Sequence, residues 1–315
     1  MRLLTIDQVR AKQKELFEEH QRRLMKSFFY HDLSSKKVAL QDYPVIQKAI
    51  FMNNFNAINT VGVDKKEAFK IAAKAEHSRV FKKEINGITV GLSSGTSGNK
   101  GIFLASKSEQ ARWVASILDR VIGFSLKRRT IAFFLRANSN LYESVKSSLL
   151  EFNFFDLMSS MEENLMLLQN KNPDILVAQP SVLLSIAKAI RRKKITITPS
   201  KVISVAEVLE PQDKLKLEQV FQQTIHQVYQ CTEGFLAATC KYGLLHFNED
   251  FLIVENKYLD ADKKRFHPII TDLVRISQPI IRYELDDILI EKKGCKCGSP
   301  FIAIAQIEGR ADDVL

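Results

Sequence analysis

The run Leu92-Ser93-Ser94-Gly95-Thr96-Ser97-Gly98-Asn99-Lys100-Gly101 places three glycines, four hydroxyl side chains and one lysine within ten residues. Glycine lets consecutive backbone N–H groups turn inward, hydroxyls add donors, and lysine adds positive charge; together these suit a polyphosphate. The spacing departs from G-x-x-x-x-G-K-[ST], and the run contains no G-x-G-x-x-G. A flexible surface linker is the other reading of such a stretch. The apolar alternation Ile88-Thr89-Val90 before it and a helical pattern after it favour a phosphate loop, expected to join a strand to a helix.

A second constellation pairs Cys240 and His246 with Cys295 and Cys297, the latter two in a Cys-x-Cys step. Three thiolates and one imidazole make a tetrahedral zinc set that leaves no coordination position open, so the expected role is structural. Two unrelated turns carrying reduced cysteines are the alternative. Cys231 is not counted among these ligands.

Further along the chain stand Val205-Ala206-Glu207, Tyr229-Gln230-Cys231-Thr232-Glu233, Ile281-Arg282-Tyr283-Glu284-Leu285-Asp286-Asp287 and Gly309-Arg310-Ala311-Asp312-Asp313. With the glycine-rich run, these segments resemble in order the signatures of the adenylate-forming superfamily, which includes acyl-CoA synthetases, adenylation domains and luciferases. Leu245-His246-Phe247-Asn248-Glu249-Asp250, Thr271-Asp272-Leu273 and Cys295-Lys296-Cys297-Gly298 are similar to the phenylacetate–CoA ligase-like branch, whose members carry a comparable Cys/His cluster.

The resemblance implies roles by position. Ser93, Ser94, Gly95, Thr96, Ser97, Gly98 and Lys100 would hold the β- and γ-phosphates of ATP. Thr232 would contact the α-phosphate and Glu233 would coordinate Mg²⁺, a hard cation suited to carboxylate and phosphate oxygens. Ala206, Glu207 and Tyr229 would line the nucleotide. Asp287 would accept from the ribose hydroxyls with Arg310 assisting. Taken singly, Glu233 and Asp287 read as surface carboxylates; their places within ordered motifs argue otherwise. Gln230 and Asp286 stand where the family has glycine, adding bulk or charge beside the nucleotide. Phe133, Phe134, Arg136, Asn138 and Tyr142 fall where the family lines its acyl substrate, although aromatics so spaced also read as core. His226 and His267 read as structural or surface residues.

The implied reaction is ATP-dependent activation of a carboxylic acid, aryl or another small acyl acid, as an acyl-adenylate with release of pyrophosphate. CoA or another acceptor would then take the acyl group. The alternative is a non-catalytic nucleotide-binding or partner-docking module that keeps the fold. The expected cofactors are ATP/AMP, Mg²⁺ and structural Zn²⁺, with CoA as a candidate co-substrate. Expected partners are a small carboxylic acid and a nucleotide, with a homodimer as a candidate assembly. In the family a C-terminal domain of roughly a hundred residues follows the Gly-Arg-x-Asp-Asp motif. Residues 1–315 are therefore expected to correspond to the large N-terminal domain, cut at the hinge or naturally truncated.

Composition narrows the field. The chain has 315 residues, 45% hydrophobic content and a net charge of +10, enough to bury a large core without marking disorder. Its basic runs, such as Lys127-Arg128-Arg129 and Arg191-Arg192-Lys193-Lys194, are short and scattered, so a solvated surface is favoured over a nucleic-acid groove. No apolar stretch approaches the roughly 18 residues of a membrane span, and no secretory leader is evident. Four cysteines with a Cys-x-Cys pair suggest a reducing compartment, and a cytoplasmic location is expected.

The elements that must position these residues follow from periodicity. Residues 5–28 read as a helix, and Asp64 with Glu67 reads as a capping box. Ser106 or Ser108 should cap the helix carrying Trp113. Strands are expected at Thr130–Leu135, Asp174–Ala178, Lys201–Val205 and Thr224–Tyr229. Helices are expected at Leu141–Leu150, Pro180–Ile190 and Pro211–Phe221, with proline in the first turn. This βαβα rhythm predicts an α/β fold of helix-covered, mainly parallel sheets, followed by a smaller antiparallel or barrel-like part. The expected organisation is a helical part near 1–85, an α/β nucleotide-binding part near 86–235 and a β-rich part at 236–315.

Overall fold

The computed structural model describes residues 5–78, 84–93, 100–123, 125–135 and 149–311. The chain opens with helices α1 (Ile6–Leu24), α2 (His31–Ser35), α3 (Lys48–Asn53), α4 (Phe55–Ile58) and α5 (Lys65–Ser78). Strands β1 (Glu84–Ile85), β2 (Ile88–Leu92) and β3 (Ile102–Ala105) precede α6 (Lys107–Ile117). Then come β4 (Arg129–Leu135), β5 (Leu150–Asp156), α7 (Met161–Lys171), β6 (Ile175–Ala178), α8 (Pro180–Arg191), β7 (Lys201–Ser204), α9 (Pro211–Phe221) and β8 (Ile225–Cys231). The remainder is β9 (Gly234–Thr239), β10 (Leu245–Phe247), β11 (Leu252–Tyr258), β12 (Arg265–Asp272), β13 (Tyr283–Glu284), β14 (Asp287–Lys292) and β15 (Ala303–Arg310).

The chain divides into two compact units. One comprises residues 1–110, 231–236 and 246–315; the other comprises 111–230 and 237–245.

The second unit is a parallel sheet in the order β5-β4-β6-β7-β8, sandwiched by helices. Its central strand β6 reads as an apolar run, Ile175 to Ala178, because it is buried at every position and so on both faces. Phe134, Phe155, Leu176 and Val202 from the strands pack with Leu183, Ile186 and Leu217 from α8 and α9. Each of those helices starts on a proline whose missing N–H costs nothing in the first turn. Phe134 stacks on Phe155 at 4.6 Å and is fully buried, so it is core; Phe133 packs against Phe152 at 5.3 Å. Arg136, Asn138, Tyr142 and all but the last two residues of the helix expected at 141–150 lie outside the described residues. Leu150, the end of that expected helix, starts β5 instead.

The first unit is built on antiparallel pairing. β11, β12, β14 and β15 pair in that order, and β13 pairs with β12. A three-stranded sheet, β1-β2-β3, packs against α5 through Ile85, Val90 and Leu104 with Ala68 and Ala72. Asp64 caps α5 by accepting from the N–H groups of Lys66 and Glu67. Gly91 faces Phe103 across β2–β3; a Cβ there would sit 2.2 Å from the ring, so only glycine admits that aromatic.

The structure thus has the expected α/β class, with one correction inside it. The glycine-rich run does not lead from a strand into a helix. It joins β2 to β3, and α6 begins only after β3. The four residues Ile102–Ala105, buried at every second position, form the returning strand of a hairpin. No helix among the described residues is long and apolar enough to cross a membrane.

Candidate functional site

The hairpin mouth is tied shut at its base. The Ser93 N–H donates to the Gly101 carbonyl at 2.9 Å, and the Gly101 N–H donates to Ser93 Oγ at 2.7 Å. Ser94, Gly95, Thr96, Ser97 and Gly98, all expected phosphate contacts, lie outside the described residues; Ser93 and Lys100 flank them. A Cβ placed on Gly101 would stand 3.7 Å from Thr232 Oγ1, so the base of the loop abuts the Thr232-Glu233 pair.

Thr232 and Glu233 occupy the turn between β8 and β9. The Thr232 hydroxyl donates to Glu233 Oε2 at 2.8 Å, and Arg275 Nη1 donates to the Thr232 carbonyl at 2.5 Å. Arg275 also donates to Gln278 Oε1 at 2.6 Å, and Gln278 in turn bonds both the Leu104 N–H and the Ile102 carbonyl of β3. One side-chain chain therefore links the acid-bearing turn to the strand that leaves the loop. Glu109 reinforces it from the start of α6. It accepts from the N–H groups of Ser106, Ile276 and Ser277 and from the Ser106 and Ser277 hydroxyls. Burial pushes the Glu109 carboxyl up, but these hydrogen bonds outweigh it and hold it below the usual carboxylate value. Glu109, Arg275 and Gln278 were not expected from the sequence, because their partners lie far away along the chain.

Tyr283 brings in the next motif. It lines the same cavity as Glu233, and burial first, then the Glu233 charge, pushes its phenol well above the ordinary value. Cys231 shows the same convergence. Burial, followed by the charges of Glu233 and Asp287, raises its thiol far above the usual range. The carboxylates of two motifs more than fifty residues apart in sequence thus act on one sulfur atom. A thiol so buried stays protonated and unreactive.

Asp287 starts β14 and lies directly opposite Arg310 of β15. His267 Nδ1 meets the Asp287 carbonyl at 3.0 Å, and the Ala311 N–H donates to the Asp286 carbonyl at 2.8 Å. These bonds hold the backbone of the strand start on both sides. Asp312 and Asp313 lie outside the described residues.

Arg282, inside the same motif, has a different task. It makes a bidentate pair with Glu255 at 2.9 Å for both bonds, and Nη1 also donates to the carbonyls of Gln41 and Tyr43. These side-chain donors all serve the fold, and its backbone is left-handed at φ +43°.

In the second unit, Ala206 adopts a left-handed φ of +67°, a conformation that a Cβ disfavours. Glu207 accepts from the Ser181 hydroxyl at 3.1 Å and the Ser181 N–H at 3.3 Å, at the positive end of α8. Tyr229 is buried on β8, and the Gln230 amide oxygen accepts from Trp113 Nε1 at 3.0 Å. His226 Nδ1 bonds Thr239 Oγ1 at 2.9 Å, and burial lowers its pKa to about 4, so it is a neutral structural residue.

His246, Cys295 and Cys297 bring their ligand atoms within 4.8 Å of one another in the first unit. His246 Nε2 stands 3.4 Å from Cys297 Sγ, while Nδ1 faces the Phe301 carbonyl at 3.3 Å. That carbonyl selects the tautomer whose Nε2 lone pair points at the sulfur atoms, an arrangement typical of a metal-ligating histidine. The Ser299 N–H donates to Cys297 Sγ at 3.4 Å. The donor set fits zinc. Cys240 lies in the second unit, in a turn closed by bonds from the Cys240 N–H to the Leu244 carbonyl and from the Gly243 N–H to the Cys240 carbonyl.

No family model matches this chain. No curated protein matches it either. Solved structures do. An open conformation of 2-hydroxyisobutyryl-CoA ligase in complex with 2-HIB-AMP and CoA superposes with a TM-score of 0.70 at 14% identity, over 95% of this chain and 69% of that one. The same ligase in its postadenylation state with 2-HIB-AMP gives 0.71 at 16% identity, over 99% and 70%. A long-chain-fatty-acid-CoA ligase (FadD1) from Archaeoglobus fulgidus gives 0.51 at 12% identity, over 70% and 51%. At these identities the likeness is one of fold: the chain has the mixed α/β fold of the large domain of adenylate-forming ligases.

Proposed function

We propose that this chain binds ATP and activates a carboxylic acid as an acyl-adenylate, releasing pyrophosphate, in the manner of the phenylacetate–CoA ligase-like branch. The observation that carries the reading is the setting of Thr232 and Glu233: their turn lies against Gly101, at the base of the glycine-rich loop, and lines one cavity with Tyr283 of the next motif. Fold alone would not bring those particular residue types together.

A carboxylate is a poor acyl donor, and forming the mixed anhydride requires two anions to meet. The protein's part is positioning and charge compensation. In this reading the hairpin amides, the hydroxyls of residues 93–97 and Lys100 receive the β- and γ-phosphates. The Thr232 hydroxyl contacts the α-phosphate. Glu233 offers its carboxylate to Mg²⁺, which supplies charge neutralisation along the phosphates when bound. Tyr283 lines the same cavity as Glu233. Asp287 accepts from the ribose hydroxyls beside Arg310, and Ala206, Glu207 and Tyr229 serve the adenine side. CoA is the acceptor that the structural neighbours suggest, since one is complexed with it. A zinc ion held by His246, Cys295 and Cys297, with Cys240 as fourth ligand six positions before His246, would brace the β-rich part and take no part in the chemistry. A reducing, cytoplasmic setting suits these thiolates.

The test is hydroxylamine trapping. With ATP, Mg²⁺ and a panel of aryl and aliphatic acids, at least one acid should yield its hydroxamate and AMP. ATP cleaved to ADP, or AMP formed without any acid, would refute acyl-adenylation.

A further inference from the structure

Lys48 begins α3, away from every motif above, yet its side chain lines the cavity formed by Gly101, Thr232, Glu233, Gln278 and Tyr283. Its position is held from two directions. Upstream, Ile46 forms a parallel bridge with Tyr283, donating to the Arg282 carbonyl at 3.0 Å and accepting from the Glu284 N–H at 2.9 Å. Downstream, the Phe51 ring packs edge-on against Tyr283 at 5.4 Å, and Lys65 Nζ bonds the Met52 carbonyl at 2.6 Å. Tyr283, which lines the cavity with Glu233, is thus also the post to which α3 is fastened.

Lys48 is half-buried, and its side chain makes no hydrogen bond or ion pair among the described residues. The one acid among the described residues lining the cavity, Glu233, already accepts from the Thr232 hydroxyl. A cavity-lining lysine without an acid of its own is suited to an anion that arrives from outside. Gly101, at the foot of the glycine-rich run, shares this wall, so under the acyl-adenylation reading the anion nearest Lys48 is the triphosphate. Lysine acts on phosphate as a compact point charge with three donors.

We infer that Lys48 is a further substrate-binding residue, a cation for the terminal phosphates of the nucleoside triphosphate and for the departing pyrophosphate. This rests on the acyl-adenylation reading for the identity of the anion. The geometry of the lysine itself does not depend on that reading.

The test is equilibrium titration of the whole chain with ATP, inorganic pyrophosphate and AMP, each with Mg²⁺, for wild type, Lys48→Met and Lys48→Arg. Lys48→Met should weaken ATP and pyrophosphate on the order of tenfold, the scale of a lost charged hydrogen bond, and change AMP less than about twofold. Unchanged AMP binding also certifies that the variant is folded. Lys48→Arg should recover most of the loss. If wild type binds ATP and Lys48→Met binds ATP and pyrophosphate equally well, or loses AMP in the same proportion, the inference is overturned while the nucleotide reading stands. If Lys48→Met weakens only the carboxylic acid, the cation serves the other substrate and the inference is again overturned. A wild-type chain that binds neither ATP nor pyrophosphate overturns both.

Discussion

Asp287 and Arg310 are paired residues of one antiparallel ladder, the first of β14 and the last of β15. Directly opposed residues have Cβ atoms about 5 Å apart, so the two side chains are neighbours on the ladder. Register shifts immediately beyond the pair, at Ile288/Leu289 and Ile290/Glu291, bend the ladder. Bulges of this kind re-aim side chains near active sites. The ladder brings two separate segments of the chain together.

Asp287→Asn should therefore weaken AMP and ATP binding by on the order of 1–3 kcal/mol, the worth of hydrogen bonds to a charged acceptor. Isothermal titration measures it. Thermal unfolding of the variant should move little, because the backbone of Asp287 is held by His267 and its ladder partners.

Arg282 should behave in the opposite way. Its bidentate pair with Glu255 is half-hidden from solvent, the two side chains being 16% and 28% exposed. Arg282→Met strands Glu255 and two carbonyls and should cost about 1–3 kcal/mol in urea denaturation, below the figure for a fully buried pair. Arg282→Lys should recover only part, because an ammonium cannot reproduce the fork. Nucleotide affinity should fall as well, through Tyr283 and Glu233.

Burial raises the Glu249 carboxyl to about 7, although the Ile302 N–H bonds it. Between the ordinary value of 4.5 and about 7 the folded chain holds this proton more tightly than the unfolded one, so the contribution to stability is full at low pH and is lost as pH rises through 7. His20, buried and lowered to about 4, acts with the opposite sign between about 4 and its ordinary 6.5, losing stability as pH falls. The two partly cancel in wild type. The stability of Glu249→Gln relative to wild type isolates the first and should grow from pH 4.5 to 7 by at most about 3 kcal/mol. A pH-independent difference would show that the carboxyl ionises normally.

Purified protein should carry about one zinc per chain by elemental analysis. Chelation, or Cys297→Ser, should remove it and lower the melting temperature, since a closed Cys/His site adds directly to folding free energy. Zinc-free protein with an unchanged melting temperature would dismiss the metal.

Legibility in the sequence followed the range of the interaction. Asp64 before α5 and the prolines opening α8 and α9 are local signals, and those helices begin where they indicated. The βαβα alternation likewise implied the parallel sheet. β3 went unread because four residues beside a longer helical pattern carry too little period to stand out. Glu109, Gln278 and Lys48 were missed for another reason. Each acts across more than fifty residues of sequence, and no spacing rule reports such a meeting. Arg282 was visible as part of a motif, but only its four bonds to Glu255, Gln41 and Tyr43 reveal a structural task.

The measurement that bears most directly on acyl-adenylate formation is acid-dependent exchange of radiolabelled pyrophosphate into ATP by the intact chain. Exchange that requires both Mg²⁺ and a carboxylic acid, and that Lys100→Ala and Glu233→Gln abolish without unfolding the protein, is the predicted result. Tight ATP binding with no exchange for any acid would contradict it and leave a nucleotide-binding module in its place.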